Sequence, residues 1–340
     1  MRVVLIRLSA LGDIIHSWPL AVAIRQGRPD VHLTWVVERA MAPLVDGHPA
    51  VDAVITVDTR RWRRTPIAAR TRAELAMLRS RFAELDPDLA IDAQGTLKSA
   101  LVTRSSRAGR RVGLARPWRR ELIAGLAYTD TLPGSREHRH VVATNLELVR
   151  AVGVEPPPWP VAPDGRWLAD AASATTAADR WQTPFAVLLP GAGHARKVMA
   201  PEVLAEVANG LADRGMTPVV AWGPAERERA HRVVELAGPP AQAAPPTDLI
   251  ELTALLGAAE LVVGGDTGPV HLAASLGTPT VGVFLTTDPD RNGPLGPMTT
   301  VVSGAARGGA TTGSATTRAV RPVDAGEVLT AVDRLLQGHE

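Results

Sequence analysis

Short apolar runs alternate with helix-like segments along the first half of the chain, and this alternation constrains the fold more than any other feature. Each run has strand length, and the segments between runs are long enough for helices. Parallel strands need such crossovers, so the alternation predicts a parallel sheet with helices on both faces. The predicted strands cover residues 3–8, 32–37, 53–57 and 89–92, and the predicted helices cover 14–25, 67–84 and 97–106.

A proline-rich stretch at residues 156–163 separates this pattern from a second one of the same kind. Proline fixes φ and cannot join a helix interior or a central strand, so the stretch is typical of a linker. A chain of 340 residues also exceeds what one hydrophobic core usually supports. We therefore predict two doubly wound α/β domains that face a central ligand cleft. The second pattern has strands over 185–189, 217–222, 261–263 and 280–284 and helices over 201–214, 225–236, 249–258 and 270–276.

The domain boundaries follow from these two patterns. We expect an N-terminal domain over residues 1–155, a linker over 156–182, a C-terminal domain over 183–320 and a final helical segment over 321–340. Residues 306–317 are rich in Gly, Ala and Thr and predict a mobile loop. The chain begins directly with a strand and has no apolar run near the ~18 residues of a membrane span. We therefore expect neither a signal peptide nor a membrane helix.

The charge distribution is asymmetric, although the formal net charge is only +2. Residues 60–120 carry 16 Lys/Arg and 5 Asp/Glu, whereas the rest of the chain carries 21 and 30. Such a basic block indicates an anionic partner: nucleic acid, an acidic membrane surface or a phosphorylated substrate. An aromatic content of 4% and the lack of a nucleic-acid-binding motif disfavour nucleic acid. The chain has no cysteine, which excludes disulfides and thiol nucleophiles and fits a cytoplasmic protein.

Residues 264–271, Gly-Gly-Asp-Thr-Gly-Pro-Val-His, join a predicted strand to a predicted helix. Glycines let the backbone approach a ligand closely, and the free N–H groups at a helix start attract anions. Pro269 fits a first helical turn, where its missing N–H is not needed. The turn is therefore a candidate phosphate cradle. Asp266 either caps the helix or meets a ligand hydroxyl, and a capped junction without a ligand is the simpler alternative.

Several polar side chains follow other predicted strands, at the sheet edge where doubly wound folds bind ligands. Asp13 is a candidate general base, with a helix cap as the alternative. Lys197 is placed to neutralise a diphosphate leaving group. Glu226 is placed to accept hydrogen bonds from a ribose diol. Gln94 and Lys98 are candidates for lining the cleft, although a plain strand-to-helix turn explains them almost as well.

Residues 60–64, Arg-Arg-Trp-Arg-Arg, directly follow a predicted strand. Arginine binds carboxylates and phosphates bidentately, so this segment suits an acceptor with several acidic groups. A solvated surface of biased composition is the alternative. Neither half has a G-x-G-x-x-G motif after its first strand, which argues against an ordinary NAD-binding start.

Together these motifs resemble those of the ADP-heptose:lipopolysaccharide heptosyltransferases, glycosyltransferase family 9. The most specific match covers residues 266–279, and residues 9–13, 92–99 and 287–289 also match. Residues 60–63 are similar to the heptosyltransferase I branch, which adds the first heptose to Kdo. The resemblance implies the GT-B fold, in which two Rossmann-like domains bind mainly the acceptor and mainly the nucleotide sugar. In that fold the last helix often packs back on the first domain, which suits residues 324–336.

The resemblance also implies residue roles for an inverting transfer that uses no metal and no cofactor. Asp13 is then the catalytic base that deprotonates the acceptor hydroxyl. The enzyme is expected in the cytoplasm, in peripheral contact with the inner face of the cytoplasmic membrane, and without nucleic acid as a partner. The donor ADP-heptose is expected to contact Lys197, Glu226, Asp266, Thr267, Gly268 and His271. The acceptor, Kdo of a lipid A precursor, is expected to contact Arg60, Arg63, Arg64, Gln94, Lys98, Arg120 and His140.

Two alternatives remain open at this point. The first keeps the GT-B fold but transfers a related nucleotide sugar to a different acceptor. The second is a non-catalytic protein that binds nucleotides or nucleic acid, which predicts no donor turnover and a steep salt dependence of binding.

Overall fold

Each half of the chain folds around its own six-stranded sheet. The computed structural model describes residues 1–65, 68–181, 184–304 and 321–338. The chain divides into a first unit, Met1–Pro163, and a second unit, Asp164–Glu340. Neighbouring strands are parallel in both sheets, and helices connect successive strands. The predicted α/β class with two doubly wound domains is therefore confirmed.

The first sheet consists of β1 (Arg2–Ile6), β2 (His32–Glu38), β3 (Ala53–Val57), β4 (Leu89–Asp92), β5 (Arg110–Leu114) and β6 (Asp130–Leu132). In space the strands follow the order β3-β2-β1-β4-β5-β6. The central strands β1, β2 and β4 are buried along almost their whole length. Helices cover both faces of such a sheet, which explains why these strands are continuous apolar runs rather than alternating ones.

The helices of the first unit differ from the prediction at one place. The single helix predicted over residues 14–25 is wrong, because the chain there forms two helices. Pro19 lies in the first turn of the second one and lacks the N–H that a continuous helix needs, and in a continuous helix its ring would clash with the carbonyl of Ile15. The helices are α1 (Leu11–Ile15), α2 (Trp18–Gly27), α3 (Thr59–Arg64), α4 (Ala69–Leu85), α5 (Leu97–Ser105) and α6 (Val141–Leu146), with 3₁₀ helices at Arg39–Leu44, Leu122–Ala127 and Glu147–Val152.

The second sheet repeats the topology of the first. Its strands are β7 (Phe185–Leu189), β8 (Thr217–Val220), β9 (Gln242–Ala243), β10 (Leu261–Gly265), β11 (Thr280–Phe284) and β12 (Thr299–Ser303), in the spatial order β12-β11-β10-β7-β8-β9. The helices are α7 (Arg166–Ala172), α8 (Pro201–Asp213), α9 (Arg227–Ala237), α10 (Leu249–Ala258), α11 (Gly268–Leu276), α12 (Pro289–Asn292) and α13 (Ala325–Gln337), with a 3₁₀ turn at Ala195–Lys197.

The final helix α13 belongs to the core of the second unit. Val328, Val332 and Leu335 form one apolar face, at helical spacing, and are buried with side chains of α8. Gly210 permits this approach, because a Cβ there would lie 2.4 Å from Cδ1 of Leu329. Packing of this helix on the first domain stays a prediction.

The second unit also begins earlier than the predicted boundary at residue 183. Residues 156–182 are predicted as a linker, yet they contain α7, which packs against α10 and α11. The helix joins the second unit because its Leu168 and Ala172 are buried there. The loop predicted over residues 306–317 lies outside the described residues. In the described part of the chain, no helix is long and apolar enough to cross a membrane.

Candidate active site

Four of the predicted site residues lie where the strand order of each sheet reverses. The reversal lies between β1 and β4 in the first unit and between β7 and β10 in the second. Loops that leave two such strands diverge to opposite faces of the sheet and leave a crevice in which ligands bind. Asp13 and Gln94 follow β1 and β4, while Lys197 and Asp266 follow β7 and β10. Each unit therefore carries its own candidate site at the carboxyl edge of its sheet.

Asp13 lies in the short helix α1 and is held by two arginines. Its Oδ1 atom is 2.9 Å from Nη2 of Arg7, and its Oδ2 atom is 3.1 Å from Nη1 of Arg120. Oδ2 also accepts a hydrogen bond from the backbone N–H of Ala10, the N-cap residue of α1, at 3.3 Å. The predicted cap position is wrong for Asp13, because the helix begins at Leu11 and Asp13 lies within it. The side chain is 19% exposed, which leaves it accessible to a ligand.

The two arginines decide the protonation state of Asp13. Burial opposes the negative charge, but Arg7 and Arg120 outweigh burial and hold the pKa of Asp13 below its ordinary value. The carboxylate is therefore ionised at neutral pH. An ionised carboxylate in a ligand crevice accepts a hydrogen bond from a hydroxyl group and, during a reaction, its proton.

Arg7 is a site residue that sequence reasoning missed. It follows β1 directly, is almost fully buried, and donates from Nη1 to the backbone carbonyl of Ala93 after β4. Burial lowers the pKa of Arg7, and the charge of Asp13 opposes that shift. The available signal was an arginine inside the apolar run of residues 3–8, because a fully buried charge needs a partner.

A second polar turn supports the loop that carries Asp13. Asp92 is fully buried and accepts hydrogen bonds from the backbone N–H groups of Gln94 and Gly95, both at 2.9 Å, and from the hydroxyl of Tyr128 at 2.8 Å. Burial raises the pKa of Asp92, and these hydrogen bonds oppose the rise. The Oε1 atom of Gln94 accepts from the backbone N–H of Leu8 at 2.8 Å. Gln94 thus links the turns after β4 and β1, and direct contact with an acceptor stays a prediction.

Lys98 lies between this turn and a large cavity of the first unit. Its Nζ atom donates to Oγ of Ser9 at 2.6 Å, four residues before Asp13. Burial lowers the pKa of Lys98, with Glu38 opposing the shift. The cavity has a volume of about 750 Å³ and is also lined by Arg60 and Arg63 of α3. A cavity of this size with cationic side chains fits a polyanionic ligand.

The side chains of the arginine segment in α3 fall into two groups, one that packs against α4 and one that is exposed. Arg61 pairs with Asp58 at 3.1 Å and with Glu74 of α4, and Nε1 of Trp62 donates to Glu74 at 3.0 Å. Arg61 and Trp62 therefore hold α3 against α4. Arg60, Arg63 and Arg64 are exposed, and none of them forms an ion pair within the described residues.

His140 has a structural environment. It is buried and caps α6, because its Nδ1 atom accepts from the backbone N–H of Val142 at 3.2 Å. Its ring lies edge-on to His16 with centroids 5.6 Å apart, and it also packs on Trp159. Contact with an acceptor therefore stays a prediction for His140, whereas the exposed Arg120 lies directly against the carboxylate of Asp13.

In the second unit, the turn between β10 and α11 has the predicted strand–glycine–helix geometry. Gly264 is needed there, because a Cβ would lie 2.8 Å from Cβ of Leu189 and 2.9 Å from Cγ2 of Val270. Thr267 is the N-cap residue, and its side chain makes no capping hydrogen bond within the described structure. Gly268 opens the helix, so the free N–H groups of the first turn face the end of the sheet.

Asp266 forms a side-chain cluster instead of capping α11. Its Oδ2 atom accepts from Nζ of Lys197 at 2.6 Å and from the hydroxyl of Thr287 at 2.7 Å. The capping alternative is therefore wrong for Asp266, because Thr267 occupies the cap position. Lys197 remains 22% exposed, and its ammonium group lies against Asp266, directly before the N-cap residue of α11. His271 lies buried one turn into α11.

Glu226 lies between the loops that follow β7 and β8. Its Oε2 atom accepts from the backbone N–H of Gly223 at 2.9 Å. Gly191 makes room for the carboxylate, because a Cβ there would overlap Oε1 of Glu226. The structure thus brings Glu226 next to the loop that leads to Lys197. Over the described ranges, no group of three His, Asp or Glu side chains is arranged to hold a metal ion.

Two doubly wound parallel units in one chain, each with polar residues at the switch point of its sheet, are the architecture of the GT-B class. The family Glycosyltransferase family 9 (heptosyltransferase) matches residues 76–319. The match covers more than half of the chain, and the chain belongs to this family.

Curated relatives and solved structures agree with the family assignment. The chain is 35% identical to lipopolysaccharide heptosyltransferase 1 of Pseudomonas aeruginosa over 298 residues, which covers 87% of this chain and 82% of the relative. It is 32% identical to lipopolysaccharide heptosyltransferase 1 of Escherichia coli K12, with 87% and 91% covered. The structure of E. coli heptosyltransferase WaaC with ADP has a TM-score of 0.79 and 28% identity, with 100% of both chains covered. The predicted GT-B fold and glycosyltransferase activity are confirmed.

Proposed function

We propose that this protein transfers heptose from ADP-heptose to Kdo of a lipid A precursor, with inversion at the anomeric carbon. The observation that carries the proposal is the Asp13 carboxylate, which two arginines hold ionised at the carboxyl edge of the first sheet. Inverting transfer needs one base for the acceptor hydroxyl and a cationic site for the departing diphosphate. The two units each supply one of these requirements.

The donor is assigned to the second unit. The free N–H groups at the start of α11 and the ammonium of Lys197 suit a diphosphate, because both carry positive charge at the same edge of the sheet. Asp266 is assigned to the heptose or its phosphate, His271 to the support of this turn, and Glu226 to the ribose hydroxyls. E. coli heptosyltransferase WaaC has also been solved with ADP-2-deoxy-2-fluoro heptose, and that structure has a TM-score of 0.76 to this chain. That complex supports ADP-heptose as the donor of this chain.

The acceptor is assigned to the first unit. Arg60 and Arg63 reach the same cavity as Lys98, while Arg64 follows them on α3 and Arg120 lies at Asp13. Guanidinium groups form paired hydrogen bonds with carboxylates and phosphates. A Kdo carboxylate and the phosphates of lipid A supply the matching negative charges.

The reaction then follows from the positions of the charges. The acceptor oxygen attacks the anomeric carbon of heptose, a new C–O bond forms, and the bond to the ADP oxygen breaks. The hydroxyl becomes more acidic as its oxygen bonds to carbon, so a carboxylate of low pKa accepts its proton late in the step. Lys197 and the α11 N–H groups stabilise the negative charge that develops on ADP. No metal, cofactor or nucleic acid enters this scheme, and the acceptor lipid locates the enzyme at the cytoplasmic membrane face.

A panel of nucleotide sugars tests the proposal, with Kdo-lipid A and unrelated glycosides as acceptors. We expect product only from ADP-heptose and Kdo-lipid A, detected by mass spectrometry. Transfer to another acceptor supports the GT-B alternative with different specificity. Absence of donor turnover together with salt-dependent nucleic-acid binding supports the non-catalytic alternative.

A further inference from the structure

An exposed apolar ridge runs over two adjacent elements of the first unit. The 3₁₀ helix Leu122–Ala127 presents Leu122, Ile123 and Leu126 to solvent, and Leu126 is 81% exposed. Leu97 and Leu101, one turn apart on α5, are also exposed. These are five of the eight large hydrophobic side chains that are exposed among the described residues. Such a concentration indicates an interaction surface, whereas isolated exposed leucines need no explanation.

The two elements form one continuous surface. Ala100 of α5 is buried together with Ala124 and Ala127 of the 3₁₀ helix, so their backbones pack closely. The backbone N–H of Leu97 also donates to Oε2 of Glu121, directly before the 3₁₀ helix, at 2.8 Å. The small alanines face inward, and the leucines and the isoleucine therefore face outward side by side.

Arginines border the apolar ridge on both sides. On one side, Arg119 donates to the backbone carbonyl of Leu122 at 3.1 Å, which holds its charge against the ridge. On the other side, Leu97 and Leu101 line the same cavity as Arg60, Arg63 and Arg79. Apolar side chains flanked by cations match the interface of an anionic bilayer, where apolar groups enter the acyl boundary and cations contact headgroups.

We infer that the apolar ridge inserts into the interface of an anionic lipid bilayer and docks the first unit on the membrane. The inference rests on the proposed function, which places the lipid acceptor in the first unit. Lys98 connects the ridge to that site, because it lies next to the ridge and also contacts Ser9 near Asp13. Docking by this face therefore brings the acceptor-binding arginines to the level of the lipid headgroups. Membrane binding itself does not depend on which sugar the enzyme transfers.

Vesicle sedimentation of the full chain tests the inference. The probes are vesicles of phosphatidylethanolamine with phosphatidylglycerol, compared with neutral phosphatidylcholine vesicles at low and high salt. We expect binding to the anionic vesicles that weakens with salt, because the arginines contribute through long-range attraction. The triple change Leu122→Ser, Ile123→Ser and Leu126→Ser is expected to weaken partitioning by about tenfold or more, because three apolar side chains leave the interface. All three side chains are more than half exposed, so we expect the variant to keep its fold, and thermal unfolding checks this.

Matched controls separate the ridge from exposed apolar residues in general. Met77→Ser on α4 and Leu236→Ser on α9 remove other exposed apolar side chains and are expected to leave vesicle binding unchanged. The triple variant is expected to lose transfer to acceptor lipid embedded in vesicles while it keeps transfer to the water-soluble saccharide part of the acceptor.

Three results contradict the inference. The wild-type protein does not sediment with anionic vesicles, or the triple variant binds vesicles as well as wild type does. In the third, the triple substitution converts a dimer to a monomer and leaves vesicle binding unchanged. A wild-type protein that binds vesicles through the ridge but transfers no heptose contradicts the proposed function alone.

Discussion

At the scale of single residues, the chemistry depends on the balance between burial and charge at Asp13. Burial alone would favour the protonated acid, which cannot accept a proton. The buried guanidinium of Arg7 and the exposed one of Arg120 reverse that preference. Of the two, Arg7 is screened less by solvent because it is almost fully buried. Under the proposed mechanism, we therefore expect Arg7 to set the lower pH limit of activity.

The change Arg7→Met is expected to move the acid limb of the pH–kcat profile to higher pH. The pKa of Asp13 is lowered in the folded protein, and activity is lost as pH falls through that pKa. Without Arg7, burial of Asp13 persists while one compensating charge is gone, so its pKa rises. Arg7→Lys keeps the positive charge, and its pH–kcat profile is expected to lie close to that of wild type. Equal loss of activity at every pH would show that Arg7 acts only on the fold.

In the second unit, Lys197 is the residue whose loss we expect to weaken binding of the diphosphate. Lys197→Met is expected to weaken ADP binding by roughly 10- to 100-fold, the effect of losing a charge-assisted hydrogen bond. Titration calorimetry measures this change. The matched control is Arg196→Met, which removes an exposed cation from the neighbouring position and is expected to leave affinity within about twofold. An equal loss of ADP affinity in both variants would indicate a long-range electrostatic effect of positive charge rather than a specific contact of Lys197.

At the scale of elements, helix α3 shows how one short motif serves two purposes. Arg61 and Trp62 bind Glu74 and fix α3 on α4, which leaves the other arginines free for a ligand. The sequence indicated the anionic ligand but not this division. Side chains of a short helix point in different directions around its axis, and the partner Glu74 lies on a helix whose position depends on packing.

The triple change Arg60→Gln, Arg63→Gln and Arg64→Gln is expected to raise the acceptor KM by at least about tenfold, because paired hydrogen bonds to acidic groups are lost. The donor KM is expected to remain within about twofold, because the donor is assigned to the second unit. The control Arg70→Gln, Arg72→Gln and Arg81→Gln removes the same charge from exposed positions of α4. An acceptor KM that rises equally in both variants would refute a specific role for α3.

At the scale of the whole molecule, the proposal assigns the acceptor and the donor to two different units of the same topology. Amide hydrogen exchange is expected to show this separation. ADP protects the backbone around residues 191–197 and 264–271, because a bound ligand stabilises the loops that contact it. The loop around residues 8–13 is expected to gain protection from the acceptor saccharide instead. Protection of the first unit by ADP in place of the second would contradict the assignment of the two sites.

The sequence predicted eight of the twelve strands in the described part of the chain and missed β5, β6, β9 and β12. It could not predict how the strands are ordered in space. The alternation of apolar runs and helices is a local pattern, and it indicated the α/β class correctly. Strand order depends on which neighbours pack best across long separations. Arg120 lies 107 residues from Asp13, and Tyr128 lies 36 residues from Asp92. These contacts exist only because β4 and β5 follow β1 in the sheet, which no local spacing encodes.

The same reasoning explains the partial prediction of the sites. Asp13, Lys197 and Asp266 were found because each follows an apolar strand, and parallel strands bring their carboxyl ends together. Arg7 and Thr287 carried weaker signals, an arginine inside an apolar run and a match to the family at residues 287–289. Neither was assigned a role, because their partners Asp13 and Asp266 lie close to them only in the folded chain.

The variant Asp13→Asn tests the central claim most directly. Asparagine keeps the size of the side chain and still accepts hydrogen bonds, but it cannot accept a proton. With saturating ADP-heptose and Kdo-lipid A, turnover is expected to fall by at least about 10²-fold, while calorimetry shows ADP affinity close to that of wild type. Wild-type turnover in Asp13→Asn would contradict the assignment of this carboxylate as the base.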